Sequence, residues 1–380
     1  MGQQDLTQLR LDPLGRENAD EMLDALLLMP LARSVAGEGK RGDEPRAGEG
    51  ADLVPLKRLV LERTEGNPLF MEELIQALFN EGALVRNGTV KLTRQPSQLK
   101  IPPTVQGILA ARIDRLPPEE KELLQALAVI GREFPLSLVR QVVQLSPDQL
   151  DRLLSGVQAG EFIYDRPAAA DIEYSFKHAL THDVAYNSLL TDRRKVLHER
   201  IAQAIEALYP ERLEDHLTEL AHHFDRSGNL PKAVEYLGRT GDRAARQGAH
   251  SGAIGYFNRA LELLRGLPDG AARDIQELDL QMALSWSLFV ARGPRAPEQE
   301  FALVRARELG EQLGENGKLM EALLALAQTR VHRRDYGLAR ELAERALAMA
   351  QQAKTSATLA EAHCALAIVL FVTGTVPGSA

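Results

Sequence analysis

"EFIYDRPAAADIEYSFKHAL", residues 161–180, breaks the rhythm of the sequence around it. Upstream, apolar residues return every three or four positions, as helices require. Here they alternate, as strands require. "EFIYD" and "DIEYSFK" read as two strands joined by "RPAAA". Helices are predicted before them at 119–130, 135–143 and 147–159, the last opened by Ser146-Pro147-Asp148 as a cap and first turn. Two more follow, at 178–190 and 194–208. Three short helices and a two-stranded ribbon are the arrangement of a winged helix.

Toward the N-terminus, "RENADEMLDALLLM" (16–29) is helical, with Ala19, Met22, Leu23, Leu26 and Leu27 on one face. Residues 32–52 are rich in glycine and charge and nearly free of apolar side chains, so a mobile loop is expected. A helix covers about 53–64. In "RTEGNPLFMEELIQALFNEG" (63–82), Gly66-Asn67-Pro68 is a turn, N-cap and first helical residue in succession. The helix it opens has Phe70, Leu74, Ala77 and Leu78 on an apolar face and Glu72, Glu73, Gln76 and Asn80 on a polar one. "GALVRNGTVKLTR" (82–94) is a hairpin turning at Asn87-Gly88, and Pro102-Pro103 begins a helix that Pro117-Pro118 ends.

From about 214 the chain reads as some eight helices with short turns such as "RSGN", "RQGAH" and "HRRD". Small residues recur twelve apart: Gly241 and Ala253, followed by Phe257 and Ala260, then Ala327 and Ala339, followed by Ala343 and Ala346. Such spacing resembles the tetratricopeptide repeat, a stack of helical hairpins. The two good units do not sit a whole number of repeats apart, so residues 266–316 are expected to hold an irregular or enlarged repeat. The closing "HCALAIVLFVTGTVPGSA" has an apolar face with no partner after it, so the array is expected to be cut short.

Composition narrows the function. Of 380 residues, 44% are hydrophobic and only 5% aromatic, which favours helix on helix. A net charge of −8 argues against a whole-domain nucleic-acid footprint. The helix that would read DNA in a winged helix, "PDQLDRLLSGVQA", carries two acids and one arginine. A single cysteine, Cys364, excludes an internal disulfide and a Cys-based zinc site. Neither a signal peptide nor a membrane span is legible, so the expected location is the cytoplasm. His178 and His182 are four apart, but H-A-L-T-H lacks the glutamate of a zinc protease, and no metal is expected. His222-His223 diverge on a helix and read as surface and packing residues, and "DRRKVLHER" (192–200) as a solvated face.

A P-loop needs G-x-x-x-x-G-K-[ST]. Gly39-Lys40 precedes Arg41 and Gly317-Lys318 precedes Leu319, so neither qualifies. No apolar strand ending in two acids precedes residue 63. The chain is therefore not expected to be an enzyme, and no catalytic residue is assigned.

The order "GNPLFMEEL", "IPPTVQGILAARIDRLPPEEKELLQ", "FKHALTHDVAYNSLL", "RRKVLHERIAQAIE" and helical repeats resembles the C-terminal half of STAND-class, AAA-related signalling ATPases. Those nearest in kind are bacterial predicted ATPases fused to class III adenylate cyclases or to transcription regulators of the MalT kind. The resemblance implies a mostly α fold: a lid remnant at 1–100, a winged-helix domain with a small β-hairpin wing at 101–210, and a TPR-like α-solenoid at 211–380. It also implies a P-loop domain upstream, with ATP or ADP and Mg belonging to the full-length parent; this chain alone is expected to hold no cofactor. Gly66, Asn67 and Pro68 match the family's G-x-P turn near the adenine. Lys177-His178-Ala179 resembles the M-H-D motif, whose histidine contacts a phosphate of ADP and holds the closed state; the sequence departs from it at Lys177 and Ala179. Plainer roles remain open: a simple helix start for the turn, and a cap for His178. Three functions compete: a regulatory fragment of a signalling ATPase whose repeats sense a protein partner or small ligand, a nucleotide-free TPR-like scaffold, and a winged-helix transcriptional regulator.

Overall fold

The structure is a computed structural model describing residues 14–28, 53–87, 89–94, 99, 101–167, 171–353 and 356–373. The loop expected at 32–52 lies outside the described residues. The chain divides into two compact units between Arg193 and Arg194. Its fold is mostly α, with two small sheets among the described residues.

The first unit begins with helices α1 (Arg16–Leu28), α2 (Val54–Thr64) and α3 (Pro68–Asn80), then the hairpin β1 (Leu84–Asn87) and β2 (Thr89–Leu92). The β1–β2 register pairs Asn87 with Thr89 across the predicted turn. Leu23, Leu56, Val60, Met71 and Leu74 fill the core between the three helices. Burying each such side chain is worth roughly 1.5–3 kcal/mol.

Helix α4 (Val105–Asp114) leads into α5 (Pro118–Ile130), β3 (Glu133–Pro135), α6 (Leu136–Val143), α7 (Pro147–Ala159), β4 (Ile163–Pro167), β5 (Ile172–Phe176) and α8 (Ala179–Asn187). Local chemistry explains the helix starts. Pro118 and Pro147 stand in the first turn, where a missing N–H costs nothing. Ser146 and Gln149 form a complete capping box. The ribbon has one strand more than expected: β3 joins it, giving the antiparallel order β3-β5-β4 with Phe134 opposite Tyr174. A three-residue strand is too short to show alternation. Phe134, Leu124, Leu154, Val157 and Phe162 centre this second core. Helix α4 serves both cores, Ile108 entering the first and Ile113 the second.

The second unit contains most of α9 (Thr191–Leu208), a 3-10 turn at Leu213–His216, and α10 (Leu217–Ser227), α11 (Leu230–Arg246), α12 (His250–Leu264), α13 (Ala271–Arg292), α14 (Pro297–Leu313), α15 (Asn316–His332), α16 (Tyr336–Ala353) and α17 (Ser356–Thr373). From α10 onward each helix packs on the next, and α11 also touches α13, as α15 touches α17. This is a solenoid-like stack. The small residues act as spacers: a Cβ on Gly241 would lie 2.6 Å from the Phe257 ring. Ala327, Ala339, Ala343 and Ala346 are fully buried in the second good unit. The enlarged repeat expected at 266–316 is present as α13, with 22 residues, and α14.

Candidate functional site

Helix α3 carries two adjacent carboxylates that a helical wheel places on its polar face. The structure sends them to different cations. Glu73 is buried and ion-paired with Arg112 of α4, itself buried. This corrects the placing of Glu73 on the polar face: it lies among the buried residues of α3. Arg112 also donates to the Gly160 carbonyl at 2.6 Å and lies 4.9 Å over the Phe162 ring. One guanidinium thus joins α3 and α4 to the turn before β4. The signal was in α4: Arg112 follows Ile108 by four and shares its buried face.

Glu72 takes the second cation. Lys177 follows β5 and prolongs the ladder, its amide donating to the Phe162 carbonyl at 2.9 Å. Its ammonium donates to Glu72 at 2.5 Å and to Glu161 at 2.9 Å. Burial works against the charged lysine, but the bonds to Glu72 and Glu161 outweigh it and hold its pKa above the ordinary value. Glu161 sits in the left-handed region at φ 58°, a conformation uncommon outside glycine.

His178 is the next residue. It occupies the N-cap position of α8, and its carbonyl accepts from the amides of Thr181 and His182, but its side chain makes no cap bond. The imidazole Nε2 is shut off from solvent without a hydrogen bond, 3.8 Å from the Glu72 carboxylate. Lys177, His178, Glu72 and Glu161 are each only 27–30% exposed, so they interact partly screened from water.

The turn that opens α3 is occupied by its own structure. Gly66 has φ +77°, and a Cβ there would lie 2.6 Å from the Leu14 carbonyl. Its own carbonyl accepts from the Leu14 amide at 2.9 Å. Asn67 caps the helix by accepting from the Phe70 amide at 3.0 Å, and Pro68 follows as the first helical residue. The Gly66-Asn67-Pro68 turn therefore positions the helix whose second turn presents Glu72 to Lys177 and His178.

A second titratable group lies in the other unit. His198 of α9 and His223 of α10 are buried with their Nδ1 atoms 2.9 Å apart, and the His222 ring stands 5.8 Å from that of His198. One Nδ1 must carry hydrogen and the other must not. Burial pushes His198 down to about 3, helped by His222, Arg226 and Arg194. Burial likewise holds His223 well below its ordinary value, with His198, His222 and Arg226 adding to it. His222 is lowered by burial and Arg226, against Asp225. "DRRKVLHER" is thus not wholly a solvated face: His198 turns inward. No group of three His, Cys, Asp or Glu among the described residues is arranged to hold a metal ion. No helix of the described residues is long and apolar enough to cross a membrane.

No family model matches the chain. An uncharacterized protein of Rhizobium meliloti strain 1021 is similar over 235 residues at 25% identity, covering 61% of this chain. The match spans 22% of that relative's length. Among solved structures the chain is similar to a Signal Transduction ATPase with Numerous Domains (STAND) protein with a tetratricopeptide repeat sensor from Pyrococcus horikoshii. That pair shares 11% identity and a TM-score of 0.33, over 84% of this chain and 54% of that one.

Two outcomes follow from these buried charges. Replacing Arg112 by Met leaves Glu73 buried and unpaired, at a cost of about 3–5 kcal/mol in urea unfolding; adding Glu73→Leu recovers most of it. An equal loss in single and double variants would refute the pairing. The histidine pair makes the second unit acid-sensitive. Both folded pKa values lie below the unfolded one, so the stabilisation is complete above pH ~6.5 and lost as pH falls. Unfolding free energy should drop by about 2–3 kcal/mol between pH ~7.5 and ~5.5, at about 1.4 kcal/mol per histidine per pH unit. The double variant His198→Leu, His223→Leu should flatten that slope; an unchanged slope would assign it elsewhere.

Proposed function

We propose that the chain is a regulatory segment of a STAND-type signal-transduction ATPase. Its first unit closes over a nucleotide held by a P-loop domain, and its helical repeats receive the signal. One observation carries the reading: Lys177 and His178, at the end of the wing, meet Glu72 on the helix opened by Gly66-Asn67-Pro68. Of the two places that the resemblance links to nucleotide, His178 lies in this cluster, and the Gly66-Asn67-Pro68 turn opens the helix that carries Glu72.

The residues present fit a phosphate. His178 offers a ring nitrogen without a hydrogen-bond partner, beside the Lys177 ammonium. Bound nucleotide would supply an anionic oxygen at this place. Lys177 and His178 would hold it, and Gly66-Asn67-Pro68 would set the entry of α3 beside it. Glu72 is the anion that already faces the Lys177 ammonium and the His178 ring. Its carboxylate already occupies the Lys177 ammonium, so holding Glu72 and capturing a phosphate oxygen exclude one another, and capture requires the release of Glu72.

A winged helix reading DNA is less well supported. On α7, Arg152 is drawn to Glu119 at 3.1 Å, and Asp148 and Asp151 would face the phosphate backbone.

The test uses the full-length protein as its gene encodes it. His178→Ala removes a hydrogen bond to a charged group, worth roughly 1.5–3 kcal/mol, so ADP should bind about ten- to a hundred-fold more weakly in calorimetry. Unchanged ADP affinity with a less stable protein would leave His178 as a packing residue and end the nucleotide reading.

A further inference from the structure

The enlarged repeat leaves a cleft of about 720 Å³ bounded by α12, α13 and α14, a volume in the range of small-molecule sites. The side chains that reach it are mostly polar, and nearly all of the charged ones are already paired. Glu277 accepts two bonds from Arg305, at 2.7 and 2.9 Å, and a third from Gln281. Glu298 is held by Arg292 at 2.5 Å and Glu262 by Arg259 at 2.7 Å. Arg273 turns to Asp269 and Asp274. Arg265, exposed at the end of α12, is the one charged group of the lining without a charged partner among the described residues.

Such a lining offers a ligand many hydrogen-bonding positions and little net charge. A carboxylate accepts at about four positions and a guanidinium donates from five, so the pairs keep unused positions on both partners. The Asn258 amide on α12, exposed, adds donors and acceptors that make no hydrogen bond among the described residues. One apolar surface stands among these groups. The Phe301 ring is 73% exposed at the cleft, one turn after Glu298 on α14 and one turn before Arg305. A strongly charged ligand would have to break one of the pairs, and an apolar one would strip water from polar groups and return no hydrogen bond. A hydroxyl both donates and accepts, so it can bridge the two members of an ion pair without separating their charges. The C–H face of a pyranose ring, apolar and slightly positive, settles on the negative face of an aromatic ring.

We propose that this cleft binds a neutral oligosaccharide, its hydroxyls on Asn258 and the Glu277–Arg305 pair and one pyranose ring on Phe301. The inference rests on the reading of the repeats as the receiving end, and its test uses no nucleotide, so each can fail alone. The probe is an array of neutral oligosaccharides built on glucose, galactose, mannose and N-acetylglucosamine, with sulfated forms of the same chains beside them. The chain should bind at least one neutral sugar, with a Kd of about 0.1–1 mM in calorimetry, and its sulfated form no more tightly. Phe301→Ala and Asn258→Ala, both at exposed positions, should each weaken that sugar about five- to ten-fold with an unchanged circular dichroism spectrum. Phe301→Trp should keep the affinity, and its fluorescence should change as the sugar is added. No neutral sugar bound at about 10 mM, tighter binding of the sulfated form, or indifference to both alanine substitutions would overturn the proposal.

Discussion

Two neighbouring carboxylates on α3, each satisfied by a cation from a distant part of the chain, hold the first unit in its arrangement. A buried charge without a partner is costly, so Glu73 can be buried only where Arg112 reaches it. Arg112 in turn gives its second terminal nitrogen to the Gly160 carbonyl, while its Nε is buried without a hydrogen-bond partner. The turn before β4 is thereby fixed against α4. That places Glu161 and Lys177 beside Glu72, and the next residue beyond the strand is His178. The chain of constraint runs from one desolvated pair to the geometry of the candidate site.

The two pairs differ in what they can do. Glu73–Arg112 is nearly free of water and can be broken only at the cost of several kcal/mol, which suits a fixed joint. Glu72–Lys177–His178 is partly hydrated, and its members have alternative partners of the same chemistry. A carboxylate there can be exchanged for another anion at modest cost. One turn of one helix therefore carries both a permanent contact and an exchangeable one.

Much of the fold was legible because its signals are local. Prolines at first-turn positions, the Ser146 capping box and the period change at 161–176 place α5, α6, α7 and the two wing strands within a residue or two. By contrast, α4 begins at Val105, capped by Thr104 and not by the prolines before it, and α8 ends three residues earlier than expected. Gly241 against Phe257 made the repeat packing readable in the same way. What escaped was non-local. Nothing within a few residues of Glu73 announces Arg112, 39 positions away. His198 lies in a basic run that reads as solvent-facing, and its partner is 25 residues further on. Strand β3 is fixed by pairing with β5, not by any pattern of its own three residues. Of the candidate cluster, Lys177 and His178 could be picked from sequence, whereas Glu72 and Glu161 enter only once the wing is folded onto α3, and Gly66, Asn67 and Pro68 are engaged in opening that helix.

The central claim is that the Glu72 carboxylate and a nucleotide phosphate compete for Lys177 and His178. ADP affinity of the full-length protein carrying Glu72→Gln measures this most directly. Removing the competing charge while keeping the side chain's shape should tighten ADP, by about five-fold if one screened ion pair of roughly 1 kcal/mol is released. Weaker ADP binding, or no change, would contradict the account and leave Glu72 as a structural tether for the wing.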